Sequence, residues 1–268
     1  MNNNINFHQT FPPTPEFLMR ILEISDGEEA LTKEEISELT GIPTGKSSGK
    51  VEPHICYAEY MGLITDDRSE GKHRLFKTAL GQELLMQDPG LQEKVSLAVC
   101  HARLTSKYDG AFLWSIMFKS IMSKYPKGIS EAILNDEIEK NIGTQVRMGP
   151  FFSSYTGMFS SLNLINKDAS TITLNKLSAS NELIYVYAYA LIYEWEQCFG
   201  EQNEITASEL DALKIADTFA LSGNVFYEVL ERMAEKNIIR FNRQLAPYTI
   251  IRLHSAQDLI PMLFNELC

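Results

Sequence analysis

The sequence has few of the features that would mark a secreted, membrane-spanning or metal-ribbon protein. Its four cysteines, Cys56, Cys100, Cys198 and Cys268, lie far apart and form no Cys-x-x-Cys pair. That spacing disfavours a zinc ribbon or a redox motif and points to reduced, structural thiols in a cytoplasmic protein. No apolar run reaches the roughly 18 residues needed to span a membrane. The richest, LIYVYAYALIYEWE (183–196), is shorter, ends in carboxylates and reads as a buried core helix. The opening MNNNINFHQTFPPTP has no basic stretch followed by an apolar one, so no secretory signal is expected there. Positive charge is also scarce: 24 Lys and Arg against 35 Asp and Glu leave a formal net charge of −11. An acidic chain is repelled by nucleic acid at long range, so any such contact needs a local basic face.

What is present is an ordinary globular composition, 44% hydrophobic and 22% charged over 268 residues. That is enough for one large domain or about two to three small ones. The stretch TGIPTGKSSGKV (40–51) suggests a phosphate-binding P-loop, but only three residues separate Gly41 from Gly45 where the loop requires four. The preceding LTKEEISEL (31–39) has helical rather than strand periodicity, which also counts against the motif. Other catalytic signals are weak. His54 and Cys56 flank Ile55, and Cys100 adjoins His101, but adjacent helical residues point about 100° apart and no nucleophile signature surrounds them. The pairs Asp66-Asp67 and Glu34-Glu35 are adequately explained by turns and caps. NDEIEK (135–140) spaces Glu and Lys for a helix, not for a nuclease strand. The reading is a non-enzyme with no cofactor, no metal site and no catalytic residue.

One pattern occurs three times. YAEYMGLITDD (57–67), MFSSLNLINKD (158–168) and VLERMAEKNIIRFN (229–242) each end a helix with a small or polar residue and an apolar pair. Each is followed by a short alternating stretch, HRLFKT (73–78), STITLN (170–175) or YTIIRL (248–253), with the period of a strand. Upstream of each lies a shorter helical segment behind a cap: Thr32 with Glu35, Ser130, and Thr206 with Glu209. Helix, turn, longer helix and hairpin is the winged helix-turn-helix arrangement. The expected fold is therefore mainly α, with about three tandem winged helix-turn-helix units joined by helical segments and carrying short β-hairpin wings. The expected organisation is 1–78 for the N-terminal segment and first unit, 79–128 for a helical linker domain and 129–177 for the second unit. A connecting helix follows at 178–204, and the third unit with a C-terminal helix at 205–268.

In such units the turn, the start of the longer helix and the hairpin tip face DNA. The expected contacts are Thr44, Lys46, Ser47, Ser48 and Lys50 in the first turn, and Arg68, Lys72, His73 and Arg74 in the first wing. Gln145 and Arg147 are expected in the second unit, where they could read adenine and guanine edges, and Arg243 in the third. A solvated face is the bland alternative at each position.

FHQTFP (7–12), LTGIPTGKSSGKVEPHICYAEYMGLI (39–64) and KTALGQELLMQDPGLQEKVSLAVCHARL (77–104) resemble the bacterial domain-of-unknown-function family numbered four thousand and seven. His8, Thr10, Phe11 and Pro12 match its opening, with Gln9 in place of an acid; Gly81, Asp88, Pro89, Leu91 and His101 match its later segment, without the tryptophan expected before the histidine. The resemblance is strongest over about the first 125 residues. It carries no enzyme activity; it implies a context of bacterial DNA modification and phage (antiviral) defence. The resulting expectation is a cytoplasmic, DNA-binding subunit of a protein complex, with duplex DNA and other defence or modification proteins as partners and no membrane. The alternative is an adaptor that docks an ATPase or modification enzyme and touches DNA little.

Overall fold

The computed structural model describes residues 5–45, 49–168, 170–242 and 248–267. Helix α1 (Pro15–Glu23) opens with proline, whose missing N–H is unpaired in any first turn, and buries Leu18, Met19, Ile21 and Leu22 on one face. Helix α2 (Lys33–Thr40) is bounded by the reciprocal Thr32/Glu35 capping box and by Gly41 at φ 68°. Helix α3 (Val51–Tyr60) starts late enough to place Pro53 in its first turn. Gly62, at φ 69°, then reverses the chain into β1 (Ile64–Ser69), which pairs antiparallel with β2 (Lys72–Lys77). Glu70 and Gly71 both have positive φ, the geometry of a tight two-residue hairpin turn.

The chain continues through α4 (Ala79–Gln87), α5 (Lys94–Leu104) and α6 (Phe112–Ile116), the last running on through a π-helical turn at Met117–Ile121. Strand β3 (Ile129–Ser130), α7 (Glu131–Ile142), α8 (Gly149–Thr156), β4 (Ile165–Lys167) and β5 (Thr171–Leu174) follow, the three strands pairing as the second sheet in the order β3-β5-β4. After the long α9 (Ile184–Phe199) come β6 (Glu204–Thr206), α10 (Ala207–Leu213), α11 (Ile215–Thr218), α12 (Gly223–Glu235), β7 (Ile239–Asn242) and β8 (Thr249–Arg252). The third sheet runs β6-β8-β7, and α13 (Ala256–Leu259) follows it. The strands expected at 73–78, 170–175 and 248–253 thus correspond to β2, β5 and β8.

The tandem winged helix-turn-helix expectation is overturned. The described chain is a mixed α/β fold, 51% helix and 13% strand, with three small antiparallel sheets. Two of these carry a strand ahead of their helices, β3 and β6, too short to show alternation in the sequence. Helix packing across the supposed units merges them into one interior. Every residue of α5 from Val95 to Leu104 is buried, and α9 is buried on nearly every side; helices apolar all round belong to a shared interior. His101 on α5 bonds the Tyr155 hydroxyl of α8 at 2.9 Å and the Thr218 carbonyl of α11 at 2.8 Å. Lys119 in the π-helical turn meets Glu194 of α9 at 2.9 Å, both side chains almost fully buried.

Candidate nucleic-acid interface

The loop from α2 to α3 is anchored from below. Ile42 is fully buried, its carbonyl accepts the Ser37 hydroxyl at 2.6 Å, and the Lys50 N–H donates to the Pro43 carbonyl at 2.8 Å. Thr44 and Lys50 are held at the surface by these contacts, half-buried. Lys46, Ser47 and Ser48 lie outside the described residues. The Lys50 ammonium sits 5.4 Å from the Phe11 ring centroid and 5.6 Å from that of Phe17, a cation held against two ring faces. No side chain caps the start of α3, so the positive end of its dipole faces the same surface.

His54 fixes this corner. The Thr14 N–H donates to its Nε2 at 3.2 Å, which leaves Nδ1 to donate to the Lys50 carbonyl at 2.7 Å. Burial, with the Lys50 charge adding to it against that hydrogen bond, pushes the imidazole pKa down to about 4 and keeps it neutral.

The hairpin divides the expected wing cations into two groups. Arg68 donates Nε to Asp66 at 2.6 Å and Nη2 to Glu59, with Cys56 Sγ at 3.6 Å. His73 is buried, its Nδ1 2.6 Å from Asp66 Oδ2. These two side chains are committed to carboxylates on β1 and α3. Lys72 and Arg74 are exposed, Lys72 close enough to Glu35 to lower that carboxyl's pKa slightly, behind the larger effect of the Thr32 hydrogen bonds.

Gln145 and Arg147, both exposed, lie between α7 and α8. The N-terminal segment joins them to the first loop. Asn6 Nδ2 donates to the Gln145 carbonyl at 3.2 Å, the Arg147 N–H donates to Asn6 Oδ1 at 3.1 Å, and Arg147 Nη1 reaches the Gln9 carbonyl at 3.4 Å. Gln9 also shares a small cavity of about 80 Å³ with Thr44, Gly49 and Lys33. Phe7 anchors the segment by edge contacts to Tyr57 and Tyr60 at 4.8 and 4.7 Å, and the Phe11 carbonyl accepts the Tyr57 hydroxyl at 3.1 Å. Beside Phe7, His8 is fully buried, and desolvation lowers its pKa to about 4. Asn6 and Gln9 were not expected in the site: residues about 140 positions from their partners leave no local signal. Arg243 lies outside the described residues. Among the described residues, no group of three or more His, Cys, Asp or Glu side chains is placed to hold a metal ion, and no helix is long and apolar enough to cross a membrane.

No protein-family model and no curated protein matches this chain. Solved structures do. The chain is similar to magnesium ion-bound SspB, with a TM-score of 0.71 at 16% identity over 98% of this chain and 87% of that one. It is also similar to a second SspB crystal structure, with a TM-score of 0.64 at 14% identity over the same shares. At these identities the likeness is one of fold. Because it runs along nearly the whole chain, it describes one continuous architecture, in place of the string of winged units expected from the sequence.

Proposed function

We propose that this chain is a non-enzymatic, cytoplasmic subunit of a bacterial DNA-modification or phage-defence system that touches duplex DNA through the face made by Thr44, Lys50, Gln145 and Arg147. The observation that carries the reading is that the N-terminal segment touches both turns: Asn6 and Gln9 hydrogen-bond the turn of Arg147, while Gln9 lines a cavity with Thr44 and Phe11 packs under Lys50. The uncapped starts of α3 and α8 lie beside it and favour anions. The whole-chain likeness to SspB and the motif resemblance over residues 7–104 support the modification or defence context. Lys72 and Arg74 on the hairpin extend the cationic surface.

Fluorescence anisotropy on duplex DNA across a salt series tests this reading. Binding should weaken steeply with salt, and Lys50→Ala and Arg147→Ala should each reduce the slope of log K against log salt by about 1. No binding at low salt, or an unchanged slope in both variants, sinks it. The adaptor reading has its own support: with a net charge of −11, even Arg68 and His73 are bound to carboxylates. Absence of DNA binding together with co-purification of a modification enzyme would establish it. Metal-dependent nicking by the pure protein, abolished by one carboxylate substitution, would overturn the non-enzyme proposal.

A further inference from the structure

A second feature lies at the other end of α3. A cleft of about 540 Å³ opens between the end of that helix, β1 and α5, lined by Phe7, Tyr60, Asp66, Arg68, Arg103 and Asp109 among others. It falls within the size range of small-molecule sites. Side chains that line it also carry buried polar atoms that lack partners. Arg103, only 7% exposed, donates Nη2 to Asp109 Oδ2 at 2.5 Å and centres its guanidinium 3.6 Å from the Tyr193 ring centroid. Its Nε and Nη1 are unpaired, as are Asp66 Oδ1 and Asp109 Oδ1. Buried polar atoms are paired as a rule, so unpaired donors and acceptors gathered around one cleft indicate a group that completes them.

The two kinds of unpaired atom narrow the chemistry of that group. A bare phosphate would face the carboxylates of Asp66, Asp109 and Glu59; a bare cation would face Arg68 and Arg103. A ligand with acceptors for a guanidinium and N–H donors for carboxylates satisfies both walls. The edge of a nucleobase carries both in one plane, and its face suits the half-buried ring of Tyr60. We propose that this cleft binds a nucleobase. The inference goes beyond the duplex-contact reading and does not depend on it, since the two surfaces lie at opposite ends of α3.

Calorimetric titration of the full chain with deoxyadenosine, deoxyguanosine, deoxycytidine and thymidine, beside sodium phosphate and magnesium chloride, tests the proposal directly. Saturable binding of at least one nucleoside is expected. Asp109→Asn and Arg103→Lys should each weaken it about tenfold or more, with Asp66→Asn as the near-isosteric variant should either fail to fold. No nucleoside binding, binding unchanged in the folded variants, or occupation by phosphate or magnesium alone would overturn the proposal. A duplex carrying 2-aminopurine identifies the source of the base. A fluorescence rise lost in the variants means a base drawn from DNA; nucleoside binding without the rise means a free nucleoside or nucleotide. Failure of the duplex to bind would count against the DNA-contact face and leave the nucleoside result standing.

Discussion

At the scale of single residues, three buried histidines contribute to how the protein responds to mild acid. His8, His54 and His101 are all neutral in the fold, each with a pKa lowered from 6.5 to about 4, chiefly because burial disfavours the charged ring. The unfolded chain takes up these protons first. The stability they provide is therefore complete above pH 6.5 and is lost as pH falls from there through about 4. For His101, enclosed on all sides, the shift amounts to about 3 kcal/mol. Urea titrations at stepped pH should show stability falling across that window. His101→Phe should flatten the pH dependence while lowering stability at neutral pH, because the Tyr155 hydroxyl and Thr218 carbonyl lose their partner. A profile unchanged by that substitution would contradict the assignment.

At the scale of elements, the turn from α3 into β1 couples backbone geometry to the interior. Gly62 has φ 69°, and a Cβ there would lie 2.4 Å from Arg103 Nε. Gly62→Ala should therefore cost about 2–4 kcal/mol, combining a left-handed strain of about 1 kcal/mol or more with displacement of a buried guanidinium. Thermal melting measures it; a loss no greater than that of an exposed substitution would show that Arg103 gives way freely. The capping boxes at Thr32 and Thr206 were readable from sequence because caps are local, satisfying backbone N–H groups three residues away. Strands β3 and β6 were not readable. At two and three residues they are defined only by the partners β5 and β8, which lie far along the chain.

At the scale of the whole molecule, the buried pair Lys119–Glu194 ties the π-helical turn to α9 across 75 positions of sequence. Burial lowers the lysine's pKa, and the adjacent carboxylate opposes that effect. Lys119→Met would leave Glu194 buried without its counter-charge and should cost about 3–5 kcal/mol, whereas the double variant Lys119→Met, Glu194→Leu should recover much of the loss. A double-mutant cycle by urea denaturation checks this; additive losses would mean the pair is not coupled. The same helices carry the shared core, so wild type and variants should each unfold in one cooperative transition.

By itself the sequence determined the capped starts of α2, α7 and α10, that residues 183–196 form a buried helix, and that a strand follows each of the three repeated helix ends. Each of these depends on caps, turns and periodicity within a few residues. Only the tertiary structure decided that the chain is one mixed α/β fold, that Arg68 and His73 are held by carboxylates, and that the N-terminal segment meets the loops carrying Lys50 and Arg147. It also decided that Arg103, Asp66 and Asp109, unremarkable in the sequence as a group, surround one cleft. The physical reason is range. Capping and amphipathic periodicity act between neighbours along the chain, whereas burial, ion pairing and shared surfaces act between residues that meet only after the core has formed.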